Sequence, residues 1–302
     1  MRIVSLLSSA TEIIYLLGLE HALVGISHEC DYPPEARSHP RVSRVRFDPQ
    51  GMDSARIDSE VRRSMELHGS VYEIDREMLR ALRPDLVLTQ AVCEVCAVPT
   101  GSVMDAIAEL SSSPAVLSLD AHSIVDILES VRRVAEAAGK AARGLAATAT
   151  LESRIADVQD AVAGRARPRV LMLEWLDPPF VPGHWVPEMI GYAGGVCLLG
   201  DAGVRSRQIE WSEAEGLSPD VLLVEPCGYD LARARSDADA AARRLTSVAP
   251  DATNAGRAWL LDSAFYSRSG PRVVEGIETL AKIFHPASFP ETVVYGEAAR
   301  WP

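Results

Sequence analysis

Short apolar runs alternate with amphipathic stretches along most of the chain. Residues 3–7 form one such run. The polar pair Ser8-Ser9 then opens the helical pattern of residues 10–17, which Gly18 stops. A strand followed by a helix with a hydroxyl start and a glycine stop is a βα unit. A second strand is predicted over 23–26. Residues 27–72 are polar, proline-bearing and arginine-rich without a clear period, and they read as an irregular excursion. The alternation resumes with a helix at 75–82, a strand at 86–89, a helix near 101–111 and a strand at 115–119. Strands alternating with helices predict a parallel sheet covered on both faces.

From residue 123 to 163 the period changes. The mostly apolar positions 124, 127, 128, 131, 134, 135 and 138, then 145, 148, 151, 155, 158 and 162, fall at helical spacing. Gly139 and Gly144 divide this stretch into two helices, the second over about 140–163 and about 36 Å long at 1.5 Å per residue. The βα alternation then restarts, with strands at 169–173, 220–224 and 259–261 and helices at 187–193, 231–245 and 271–284. Residues 82–88 (Leu-Arg-Pro-Asp-Leu-Val-Leu) are echoed by residues 217–223 (Leu-Ser-Pro-Asp-Val-Leu-Leu). The pattern predicts an α/β fold of two similar lobes with parallel sheets, residues 1–121 and 169–302, joined through helices in 122–168.

A chain of 302 residues suits one large domain or two modest ones. Thirty Lys and Arg against 42 Asp and Glu leave a net charge of −12, which disfavours nucleic acid and anionic membranes as partners. No apolar run reaches the 18 residues or so that a spanning helix needs. The start, Met1-Arg2-Ile3-Val4-Ser5-Leu6-Leu7, does not read as a signal peptide. The five cysteines are an odd number, so thiols or ligands are expected in place of disulfides, and a cytosolic location follows from these readings.

Four constellations carry candidate chemistry. Ser27-His28-Glu29-Cys30-Asp31-Tyr32 follows a predicted strand, where parallel sheets bind ligands. Cys93-Glu94-Val95-Cys96 also follows a strand end, and C-x-x-C is a soft-metal or dithiol geometry. With His28 and Cys30 it makes a candidate metal set of three thiols and one imidazole. A thioredoxin-like redox pair and a plain structural pair are the competing readings. In the second half, Glu174-Trp175 ends a strand, and Gly183-His184-Trp185 precedes a helix opening near Pro187. Trp185 is suited to stacking on a flat ligand and His184 to ligating iron or cobalt. Glu225-Pro226-Cys227-Gly228-Tyr229 follows the next strand. Cys197 reads as core, and His21, His39, His68, His122 and His285 as surface or capping residues without partners. No Walker, nucleophile-elbow, dinucleotide or zincin motif occurs.

Taken in order, several segments resemble a known family. They are Ile3-Val4-Ser5-Leu6-Leu7-Ser8-Ser9-Ala10-Thr11-Glu12, Leu23-Val24-Gly25-Ile26-Ser27 with Asp31-Tyr32-Pro33-Pro34, Ala81–Leu88, Pro178-Pro179-Phe180, Ala193-Gly194-Gly195 and Ser269-Gly270-Pro271-Arg272-Val273. The chain resembles the helical-backbone (class III) periplasmic binding proteins, and among them the vitamin B12-binding components of cobalamin importers. The resemblance covers nearly the whole chain. It implies two Rossmann-like lobes, a rigid connecting helix and a ligand held between the lobes. It also implies one acidic residue per lobe that docks on a permease. Glu77 stands at the first position and Ser267 at the second, and residues 43–72 read as an insertion. The loops that carry aromatic residues on the corrin correspond to 28–30, 91–98 and 264–266, and Phe265-Tyr266 keeps an aromatic platform.

These readings combine into a ligand-binding protein of the importer type, not an enzyme, for a corrinoid, haem-like or metal-chelate ligand. The alternatives are a cytosolic metal-binding protein or metalloenzyme built on cleft Cys, His and Glu residues, and a ligand sensor. The candidate contacts are His28, Glu29, Cys30, Tyr32, Cys93, Glu94, Cys96, Glu174, His184, Trp185, Glu225, Phe265 and Tyr266. The bound group is a corrinoid or a transition metal (zinc, iron or cobalt), and an ABC permease is a candidate partner.

Overall fold

The computed structural model describes residues 1–90, 100–110, 113–289 and 297–302. The chain divides into two compact units. The first comprises Met1–Met52, Arg56–Ala121 and Val125–Thr150; the second comprises Asp53–Ala55, His122–Ile124 and Leu151–Pro302.

The first unit is built on a four-stranded parallel sheet in the order Leu23–Ile26, Ile3–Ser5, Leu86–Thr89, Ala115–Ser118. Ile3–Ser5 and Leu86–Thr89 are buried at every residue, as parallel strands covered on both faces must be. On one face Ile13 and Ile14 of the helix Ser8–Leu16 pack with Val131 and Val134 of the helix Ile124–Ala137. On the other, Leu79 of Arg76–Leu82 and Val103 and Ala106 of Thr100–Ala108 close over Val4 and Val87. Asp75 caps the first of these helices by accepting the Met78 N–H at 2.8 Å.

The expected irregular excursion at 27–72 contains an ordered element. Ser54–His68 is a 15-residue helix. Its apolar stripe is thin: Val61 and Met65 pack on the core that holds Leu79 and Val87. Its polar face carries Asp58–Arg62 and Glu60–Arg63 ion pairs one turn apart. The antiparallel pair Ser43–Val45 and Tyr72–Ile74 flanks it in sequence.

Two helices follow the first sheet, Ile124–Ala137 and Ala141–Val162, with Gly139 at φ +67 between them. Gly164, at φ +70, lies two residues past Val162, and the strand Arg169–Leu173 of the second sheet begins at Arg169. That sheet runs Val196–Cys197, Arg169–Leu173, Val221–Val224, Ala258–Leu261, Ala298–Arg300. The first four strands are parallel and the last is antiparallel. A small antiparallel sheet of Trp175–Leu176, Pro179–Val181 and Arg207–Gln208 extends the end of Arg169–Leu173, with the Glu174 N–H donating to the Phe180 carbonyl at 3.0 Å. The predicted helix over 231–245 is two helices, Leu231–Ala240 and Ala242–Val248, because Ala241 leaves the helical region at φ −92, ψ 6. Val273–Phe284 buries nine of its residues and closes the unit.

Candidate functional site

In each sheet the parallel strands end in loops that bear the candidate side chains. In the first unit the loop after Leu23–Ile26 turns sharply, the Cys30 N–H donating to the Ser27 carbonyl at 3.3 Å. That turn sends His28 and Cys30 to different partners. The Nδ1 of His28 lies 2.9 Å from Ser43 Oγ, its ring rests 4.9 Å from that of Tyr72, and the Glu29 carboxylate is 3.3 Å from its Nε2. Cys30 is 1% exposed and belongs to the apolar cluster around Ile13 and Ile26. Thr11 Oγ1 donates to its sulfur at 3.0 Å, and Ser27 Oγ is 3.3 Å away. The structure therefore places Cys30 inside the unit, while Glu29 and Tyr32 are exposed. Cys93, Glu94 and Cys96 lie outside the described residues. Among the described residues, no group of three or more His, Cys, Asp or Glu side chains is placed to hold a metal ion.

In the second unit Glu174 is half-buried at the end of its strand, and its carbonyl accepts the Cys227 N–H at 3.0 Å. Trp185 is buried, and its indole N–H donates to the Tyr266 carbonyl at 2.6 Å. Tyr266 is wholly buried, while its neighbour Phe265 is half-buried beneath the Arg272 guanidinium, 4.8 Å from the ring. Glu225 is also wholly buried. Its Oε1 accepts a 2.6 Å hydrogen bond from Ser267 Oγ, and its Oε2 has no partner among the described residues. Burial first, then the nearby Cys227 and Glu174, push this carboxyl well above the ordinary glutamate range. Of the described cysteines, all free thiols, Cys197 donates to the Leu199 carbonyl and burial pushes it up to about 11, while Cys227 is exposed.

His184 is the most constrained of the candidates. Its φ of 51 is in the left-handed region, which a non-glycine residue occupies at a cost. Two backbone hydrogen bonds hold it there. Its N–H donates to the Val204 carbonyl at 2.6 Å, and its carbonyl accepts the Gly203 N–H at 2.8 Å. Burial, and behind it His122 and Arg205, lower its pKa, so the imidazole stays neutral to more acidic pH than a free histidine. Its Nδ1 is buried without a hydrogen-bond partner among the described residues. His122 was expected to stand without a partner, and this reading is corrected: its ring centroid lies 5.7 Å from that of His184. The available signal was positional, since Ala121-His122-Ser123 closely follows the strand Ala115–Ser118.

The loop that holds His184 depends on Gly183. A Cβ there meets Ser206 N and the Val204 carbonyl oxygen at 2.4 Å and the Arg205 carbonyl carbon at 2.6 Å. These are backbone atoms with no side-chain rotamer to yield. Gly183→Ala is therefore expected to cost about 1–3 kcal/mol of stability, the usual range for overpacking. Gly191→Ala, with open space around the added methyl, is the control and is expected to be neutral. Chemical denaturation of both variants checks this, and equal midpoints for the two would refute the steric argument.

Each of the two α/β units carries ligand-type side chains on the loops after its parallel strands. The profile of the periplasmic binding protein family matches residues 3–246, and the chain belongs to that family. It is 22% identical over 281 residues to the vitamin B12-binding protein of Vibrio cholerae, covering 92% of this chain and 86% of that one. It is 23% identical over 303 residues to an ABC transporter substrate-binding lipoprotein of Bacillus subtilis, YvrC, covering 96% and 82%. Among solved structures, the apo periplasmic heme-binding protein RhuT of Roseiflexus superposes with a TM-score of 0.70 at 25% identity, covering 95% of this chain and 99% of that one. The chain is thus a substrate-binding protein of the ABC-importer type, and its relatives are binding proteins, not enzymes. The cytosolic expectation is overturned by the same finding, because these relatives are periplasmic proteins or lipoproteins, which work outside the cytoplasm. No helix among the described residues is long and apolar enough to cross a membrane.

Proposed function

We propose that this protein delivers a metal-bearing small molecule, a corrinoid, a haem or a ferric chelate, to an ABC permease. The observation that carries this reading is His184: a neutral imidazole locked in place by its backbone, with a ring nitrogen that has no hydrogen-bond partner among the described residues. A neutral imidazole is the common protein ligand for iron and cobalt, and pre-positioning lowers the cost of binding. The reading is supported by relatives and structural neighbours whose names specify vitamin B12, heme or Fe3+-hydroxamate. Phe265 and Trp175 supply half-buried aromatic surface in the same unit, and in the first unit His28 is half-buried and Tyr32 exposed on the loop after Leu23–Ile26. Glu77, exposed in the first turn of its helix, is the permease-facing acid of the first unit in this reading.

The test is absorbance titration of the full chain with aquocobalamin, haemin and a ferric hydroxamate. One of the three is expected to bind at one equivalent with a spectral shift. The His184→Asn variant, which tolerates the left-handed backbone, is expected to bind at least tenfold more weakly. Absence of binding by all three, or an unchanged affinity in His184→Asn, would remove the proposal.

A further inference from the structure

His122 and His184 both belong to the second unit, in segments 62 residues apart in sequence. A third residue pins these segments together. Glu188, one helical turn after His184, accepts the Ile124 N–H at 2.7 Å, two residues after His122. His184 is fixed from its other side by the hydrogen bonds to Val204 and Gly203. The two imidazoles are therefore neighbours by construction, with His122 exposed and His184 half-buried.

The spacing can be compared with metal coordination. A transition metal sits about 2.1 Å from a histidine nitrogen, hence about 3.2 Å from the ring centroid. Two imidazoles on one ion then have centroids about 4.5 Å apart for a right-angle arrangement, about 5.2 Å for a tetrahedral one and about 6.4 Å for a linear one. The observed 5.7 Å falls inside this span, nearer the tetrahedral value than the linear one. The same 5.7 Å separates His184 from Trp185 and suits ring packing as well, so what sets the pair apart is the buried His184 Nδ1, which has no hydrogen-bond partner among the described residues.

We infer that His122 and His184 together bind one transition-metal centre through two adjacent coordination positions. This inference rests on the reading of His184 as a metal ligand and makes the cargo more specific. A planar tetrapyrrole leaves its metal open only on opposite faces, so the macrocycle would have to pass between two rings that are already near neighbours. A bare divalent ion, or a chelate that leaves two adjacent positions to the protein, meets the pair without that separation. Imidazole donors suit copper, nickel, zinc and iron, with copper the tightest divalent ion of the series.

The experiment uses the full chain after treatment with chelator, and the probe is Cu2+ alone, followed by Ni2+ alone. Calorimetry is expected to show one site, and the electron paramagnetic resonance spectrum of the copper form to show hyperfine coupling from two imidazole nitrogens. His122→Ala and His184→Asn are each expected to weaken binding at least tenfold and to remove one nitrogen from the spectrum, and the double variant removes both. His122 is exposed, so His122→Ala tests the pair without opening a buried cavity. Metal binding that is absent, or unchanged in both variants, overturns the inference. If in that event haemin or aquocobalamin still binds in a His184-dependent manner, the metal-bearing cargo stands and only the pair falls. If no metal and no metal compound binds, both fall together.

Discussion

Trp185→Ala is expected to destabilise the second unit by about 3–5 kcal/mol, the range for removing a buried tryptophan. The indole is 7% exposed, and its N–H is committed to the Tyr266 carbonyl. Removing it leaves a cavity beside the helix Val186–Tyr192 and strands that carbonyl without its donor. Trp185→Phe refills most of the space and is expected to recover more than half of the loss, the remainder measuring the hydrogen bond. The consequence for binding is indirect. Trp185 immediately follows His184, with ring centroids 5.7 Å apart, so its loss loosens the imidazole as well as the fold. Urea unfolding followed by tryptophan fluorescence and circular dichroism measures the effect. A ligand-stacking tryptophan without a packing role would give the opposite result: little change in stability and a large change in affinity.

That outcome bears on what a sequence discloses about such a site. The alternation of runs located the parallel strands because strands covered on both faces must be apolar throughout, and Val221–Val224 and Leu86–Thr89 are buried at every position. It missed Ser54–His68 because a helix held mainly by Val61 and Met65 offers too few apolar residues to show a period against arginines and acids that pair among themselves. Strand ends were readable, and side-chain directions were not. His28 and Cys30 are two apart, which in a strand would point them to the same face. The turn closed between Ser27 and Cys30 sends one to Ser43 and Tyr72 and the other to Thr11 in the core. The partnership of His122 with His184 spans two chain segments brought together by Glu188 and Ile124, and no local pattern encodes it.

Glu225→Gln is expected to make the protein more stable at pH 8 than the parent and to leave it close to the parent at pH 5. Glu225 extends the strand Val221–Val224, so its backbone position follows from the sheet, with its N–H donating to the Leu173 carbonyl at 2.9 Å. Its side chain is wholly buried. Ser267 donates to one carboxyl oxygen, and no cation pairs with the group among the described ion pairs. Burial, reinforced by Cys227 and Glu174, therefore raises its pKa well above the usual 4.5. The folded state keeps the proton that the unfolded chain gives up. Between pH 4.5 and the raised folded-state value the unfolded state binds fewer protons, so stability falls as pH rises, by up to about 1.4 kcal/mol per unit. This is the reverse of a carboxylate held in an ion pair, which loses its contribution as pH falls. Glutamine keeps the acceptor for Ser267 and carries no proton to lose. Asp262, Glu275 and Glu297 are also raised by burial and contribute their own slope to both proteins, so the difference between parent and variant isolates Glu225. Denaturation midpoints at pH 5, 6.5 and 8 should diverge with pH. Parallel pH profiles would show that Glu225 ionises normally inside the fold, and that water or a cation reaches its free oxygen.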